Sequence, residues 1–114
     1  MNLEQFLSKL KTNPNNIMFS ETMCVIEAYY IFSPTAFTNG ELLNKAGENS
    51  GSCKLFAFAK DQNFSKEETL ACFGQYYFDE VLNNLTGTGH QNIRNFMKTG
   101  FDGLSFDGEP LIKK

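Results

Sequence analysis

The chain has 114 residues and a mass of 12.9 kDa. At that size folding reduces roughly 18,700 Å² of extended surface to about 6,300 Å², room for one core. Hydrophobic residues are 41% and charged residues 20%, which excludes disorder, and no apolar run approaches the roughly 18 residues of a membrane helix. The formal net charge is -3, the pI is about 5.1, and the basic residues do not cluster beyond Lys113-Lys114, so nucleic acid and membranes are not expected partners.

Leu3, Phe6, Leu7 and Leu10 form an amphipathic stripe, Asn2 and Gln5 offer a capping box, and Asn13-Pro14 ends the first helix. Ser20-Glu21 starts a second, running from Glu21 to about Tyr30; Met23, Cys24, Val25, Ile26, Ala28 and Tyr29 surround it, and Glu27 alone is charged in its middle, so it is expected to be the central helix. Thr35 to Asn44 contains Asn39-Gly40, a hairpin signal, with an irregular connection as the equal alternative. Ser52 begins a third helix, Cys53 to about Gln62.

Ser65 and Glu68 form a capping box for a fourth helix carrying Leu70, Phe73, Tyr77 and Val81 on one stripe. Thr88 and Gln91 suggest the same for a short fifth helix, residues 89 to 98, with Ile93, Phe96 and Met97 inward and Gly100 at its end. Asp107-Gly108 suggests a terminal hairpin between Leu104-Ser105-Phe106 and Glu109-Pro110-Leu111. The expected fold is a mainly α (α+β) single domain over residues 1–114, with about five helices and one or two small β-hairpins.

Cys24, Cys53 and Cys72 have no C-x-x-C spacing and His90 is the single histidine, so neither a metal nor a cofactor is expected. Ser52, Cys53 and Lys54 stand at a helix start, where the dipole and an ammonium favour a thiolate; a buried core cysteine is the simpler reading. Gly87, Gly89, His90 and Arg94 stand at another helix start and could hold an anion; a glycine turn with local bonding is the simpler reading there. Gly47 to Lys54 lacks the spacing of a phosphate loop. Twelve Phe and four Tyr are expected mostly in the core, with Tyr29, Tyr30, Tyr76 and Tyr77 as exposed exceptions. A protein-docking patch would draw on those tyrosines or on Phe37 and Phe101.

Pro34-Thr35-Ala36-Phe37-Thr38-Asn39-Gly40, Gly51 to Ala59, Thr69 to Gly74 and Gly89 to Met97 resemble the HopJ family of bacterial type III effectors, in register from about residue 2 to 108; Phe101 stands where many relatives carry Trp. The name implies injection into a host cell, but the resemblance carries no activity, cofactor or catalytic residue, and relatives extend to bacteria without an injection apparatus. The start Met1-Asn2-Leu3-Glu4-Gln5 reads as a capped helix and not as a secretory signal, so a bacterial cytoplasmic location is expected. The functional expectation is a non-catalytic protein-interaction module with an unknown protein partner; the alternative is a small enzyme or anionic-ligand binder using the helix starts at Ser52-Lys54 and Gly89-Arg94.

Overall fold

The computed structural model, which describes residues 1–114, places α1 at Leu3–Thr12, with the Asn2/Gln5 capping box formed and Phe6 and Leu10 buried. α2 is Phe19–Tyr29, starting ahead of Ser20-Glu21 because the Glu21 carboxylate reaches back to accept the Met18 N–H at 2.8 Å. Lys9 Nζ meets Glu21 Oε2 at 2.9 Å and ties α2 to α1. Burial alone would raise the Glu21 pKa, but the Lys9 ammonium and the Met18 N–H outweigh it and hold the carboxyl below its usual value.

α2 is not the central helix. Thr22, Val25 and Ile26 are buried while Cys24, Ala28 and Tyr29 face outward, so a nearly all-apolar circumference did not mean an all-buried one. The centre belongs to α3, Ser50–Asp61, in which Cys53, Leu55, Phe56, Phe58 and Ala59 are all buried. Phe56 meets three rings, Phe37 at 6.2 Å, Phe73 at 5.4 Å and Phe96 at 4.9 Å between centroids. Offset and edge-on aromatic pairs of this kind each add about 0.5–1.5 kcal/mol beyond their buried area.

α4, Lys66–Ala71, starts on the Ser65/Glu68 capping box as expected, but the predicted stripe to Val81 is not one helix. Gly74 breaks it at φ +60°, because the segment before α2 crosses there: a Cβ on Gly74 would lie 2.6 Å from the Phe19 nitrogen and 2.7 Å from the Ile17 carbonyl oxygen. The chain resumes as a wide π-helical turn, Tyr76–Val81, with the Leu82 N–H donating to the Tyr77 carbonyl at 3.0 Å. α5 is Gln91–Thr99 and ends at Gly100. The expected Thr88/Gln91 box does not form: the Gln91 amide donates to the Thr88 carbonyl, and the helix begins after His90, which is left-handed at φ +56°.

Five short strands make two antiparallel sheets: β1 (Tyr30–Phe32) with β5 (Leu111–Lys113), and β3 (Leu42–Asn44), β2 (Phe37–Asn39) and β4 (Leu104–Phe106) in that order. The hairpin alternative holds for β2 and β3, but its loop is Gly40-Glu41; Asn39 pairs with Leu42 and its side chain enters the core. Gly40, at φ +64°, takes the position where a two-residue hairpin needs glycine. The expected terminal hairpin is absent, since β4 pairs with β2 and β5 with β1.

Those two pairings share one register. Tyr30↔Lys113 through Phe32↔Leu111 continues into Phe37↔Phe106 through Asn39↔Leu104. Across the gap, the Ser33 N–H donates to the Pro110 carbonyl at 2.8 Å and the Asp107 N–H to the Ala36 carbonyl at 2.9 Å. One antiparallel ribbon is thus interrupted where Pro34 and Pro110 have no N–H to give.

Two outcomes are expected from this packing. Gly74→Ala, forced to a positive φ against backbone atoms, should lose about 3 kcal/mol or more in denaturant unfolding; a loss under about 1 kcal/mol would contradict the close crossing. Removal of residues 1–12 takes the buried Phe6 and Leu10 out of the core and should markedly lower the melting temperature, and an unchanged value would show that α1 is dispensable.

Candidate functional site

Four asparagines from separate parts of the chain close into one hydrogen-bonded cluster. Asn92, in the first turn of α5, is 6% exposed; its Oδ1 accepts from Asn39 Nδ2 at 3.0 Å and Asn44 Nδ2 at 3.2 Å. Its Nδ2 donates to Asn44 Oδ1 at 3.0 Å, and its carbonyl accepts from Asn39 Nδ2 at 2.8 Å. Asn44 Oδ1 accepts a second bond at 2.7 Å, from Asn49 Nδ2 immediately ahead of α3. Asn39 Oδ1 is buried without a partner.

The sequence reading missed this cluster, because asparagine beside glycine reads as a turn and asparagine in a polar stretch reads as a loop. The available signal was the two-residue period of a strand, which puts Asn39 on the same face as Phe37. A buried amide costs free energy unless bonded, so an inward asparagine implies partners.

Through this cluster the starts of α3 and α5 come to one cleft of about 560 Å³. Asn49, Gly51 and Ser52 line it at the start of α3, His90, Gln91, Asn92 and Ile93 at the start of α5, and Phe19, Phe73 and Tyr76 supply rings. Phe19 stacks on Phe73 at 6.2 Å and meets Tyr76 edge-on at 5.2 Å. Both helices begin from left-handed backbone, Asn49 at φ +50° and His90 at φ +56°. Neither start has a side-chain cap, and the N–H groups of Ser50, Gly51, Ser52, Gln91, Asn92 and Ile93 have no acceptor within the chain. α1, α2 and α4 all carry side-chain acceptors at their starts.

No Lys, Arg, Asp or Glu lines the cleft. The two helix ends that open on it each carry the equivalent of roughly half a unit of positive charge. His90 supplies an imidazole there: Nε2 lies 2.9 Å from Glu80 Oε1, and the ring lies 5.3 Å from Tyr76.

The predicted helix-start residues therefore divide. Ser52 and His90 meet at the cleft. Arg94 does not: its guanidinium donates to the carbonyls of Gly89 and, at 2.8 Å, Asn84, bracing the loop, and it lines a neighbouring groove with Gly87. A Cβ on Gly87 would lie 2.9 Å from an Arg94 guanidinium nitrogen, and Gly89 faces open space. Lys54 pairs with Glu27 at 3.5 Å and lies 4.9 Å over the Phe32 ring. Cys53 is buried, its Sγ 3.6 Å from the Thr35 carbonyl oxygen. α3 starts three residues earlier than the sequence reading placed it, which moves Cys53 out of the free first turn: its N–H is bonded to the Asn49 carbonyl. Burial pushes the thiol up to about 11, opposite to the shift expected at an open helix start.

The aromatic residues expected at a docking patch differ in exposure. Tyr30 and Phe37 are buried, and burial together with the Asp61 carboxylate it donates to pushes Tyr30 up to about 12. Tyr76 and Tyr77 are half-buried, and Phe101 is half-buried edge-on to Phe96 at 5.1 Å. Tyr29 is exposed, its hydroxyl accepting the Leu3 N–H at 3.2 Å. Beside it on the ribbon, Ile31 and Ile112 pair across the strands at 55% and 52% exposure.

The model of the family described as HopJ type III effector protein matches residues 3–111. The crystal structure described as "unknown function protein VPA0580" is 51% identical, superposes with a TM-score of 0.97, and the match covers 100% of this chain and 95% of that one. No curated protein matches the chain.

Burial gives the three thiols separable reactivity. At pH 8 in native buffer a disulfide reagent should label Cys24 quickly, while Cys53 and Cys72 should react only after denaturation. Rapid native labelling of Cys53 would contradict its burial.

Proposed function

The chain belongs to the HopJ type III effector family, and we propose that this member is a non-catalytic binding protein whose cleft between α3 and α5 holds a carboxylate, or a similar oxyanion, on an apolar or aromatic body. The observation that carries this reading is the convergence of the two helix starts, far apart in sequence, on one cleft beside Phe19, Phe73 and Tyr76. Free N–H groups and two half-charges favour an anion of about unit charge. The rings offer stacking area to the rest of the ligand, and a mostly apolar cleft with a few convergent donors is the usual form of a small-molecule site. Binding is favoured over catalysis because Cys53, the nucleophile the sequence offered, is turned into the core, and the His90 imidazole is bonded to Glu80.

A second reading, the protein-docking module, draws on the exposed Ile31–Ile112 pair beside Tyr29. A photocrosslinker at position 112 should then give one discrete adduct that disappears in Ile31→Lys; adducts insensitive to that change would remove this reading.

The cleft is tested by titrating isotope-labelled protein with benzoate, inorganic phosphate and benzyl alcohol while following backbone amides. Benzoate should move the Gly51, Ser52, Gln91, Asn92 and Ile93 resonances in a saturable way, and the uncharged alcohol should move them far less. Tyr76→Leu should weaken benzoate about three- to tenfold, the loss of one aromatic contact. Flat titrations at millimolar benzoate and phosphate would refute the cleft reading.

A further inference from the structure

Resting on that reading of the cleft, we propose that Asn44 is its positioning residue: a buried amide outside the cleft that sets the two helix starts at the spacing a ligand requires. Asn44 is 1% exposed at the end of β3 and does not line the cleft. Its Oδ1 accepts from Asn49, at the start of α3, and from Asn92, in the first turn of α5. No direct hydrogen bond joins the two starts, and Asn44 is their shared partner.

The orientation of the amides is determined by their partners. Turning the Asn44 amide over would set its NH₂ against the NH₂ groups of Asn49 and Asn92, and turning Asn92 over would set its NH₂ against those of Asn39 and Asn44. Asn44 itself is held by the β2–β3 register opposite Phe37, which is buried against Phe56 and Phe106. The spacing of the two starts is thereby referred to the aromatic core through one side chain. A loose surface loop would leave that spacing to fluctuate, and oriented donors bind best when preorganised.

Asn49→Gly loosens the link to α3 without backbone strain, because position 49 is left-handed at φ +50°; it removes the amide bond to Asn44 together with the Asn49 side chain's share of the cleft wall, so Asn44→Ala, which leaves the lining intact, is the deciding variant. The Asn49→Gly protein should fold normally and bind benzoate at least fivefold more weakly, with the Ser50–Ser52 amide responses reduced and those of Gln91–Ile93 kept. Asn44→Ala should reduce both sets. Leu10→Ala, a core truncation in α1 away from the cleft, is the stability control and should leave benzoate affinity within twofold. A wild-type protein that binds benzoate while Asn49→Gly and Asn44→Ala bind it equally well would overturn the positioning role and leave the cleft reading standing. An equal loss in Leu10→Ala would also overturn it, since general destabilisation would then account for the effect. A wild-type protein with no response overturns both.

Discussion

The arrangement rests on a buried polar constraint, the amide cluster of Asn39, Asn44, Asn49 and Asn92. A net intramolecular hydrogen bond contributes about 1 kcal/mol, whereas leaving a buried amide unpaired costs about 1–3 kcal/mol. The cluster therefore adds modest stability and strong selectivity, because any packing that displaces one member strands the others. It links β2, β3 and the starts of α3 and α5, four parts of the fold that the hydrophobic effect alone would allow to slide. Nondirectional burial collapses the chain; directional bonds choose the register.

Around that cluster the core is aromatic. α3 occupies the centre because its Phe56 and Phe58 lie on two sides of one helix, Phe56 toward Phe37, Phe73 and Phe96, and Phe58 toward Phe6, Tyr30 and Phe64. The abundance of phenylalanine is thus mainly an interior property. At the edge of this core the Gly74 crossing brings the segment before α2 against the chain after α4, and so sets Phe19 beside Phe73 and Tyr76 at the cleft. The π-helical turn that follows places Tyr76 against His90. A steric requirement at one glycine and a ligand-facing aromatic wall are two consequences of the same chain crossing.

The cleft's chemistry follows from what surrounds it. The charged side chains near it are already paired: Arg94 with loop carbonyls and Lys54 with Glu27 away from the cleft, and Glu80 with the cleft's own His90. What remains at the surface of the cleft is backbone N–H, the Ser52 and Tyr76 hydroxyls, the amides of Asn49, Gln91 and Asn92, an imidazole, and aromatic and aliphatic side chains. Such a surface favours a compact anion with an apolar body over a highly charged ligand, because two helix ends supply only about one unit of positive charge.

Much of the fold was legible because it is encoded locally. The α1 and α4 capping boxes, the end of α5 at Gly100 and the inward stripe of α5 depend on residues within a turn or two of each other, and the family resemblance rested on contiguous blocks of sequence. The Ser52 and His90 helix starts were also marked as candidates by local signals, though nothing local could join them. Tertiary structure decided the rest. Asn39 became a core residue because Asn92 offers its amide two acceptors; α2 moved outward because α3 claimed the centre; β4 and β5 left each other because their register continues along β2 and β1. Sequence by itself determined the helices' ends and apolar faces, since caps and periodicity act within a few residues. Which faces met, which amides paired and which helix starts shared a cleft were decided only on folding, because those partners lie dozens of residues apart and their bonds exist only once the chain has brought them together.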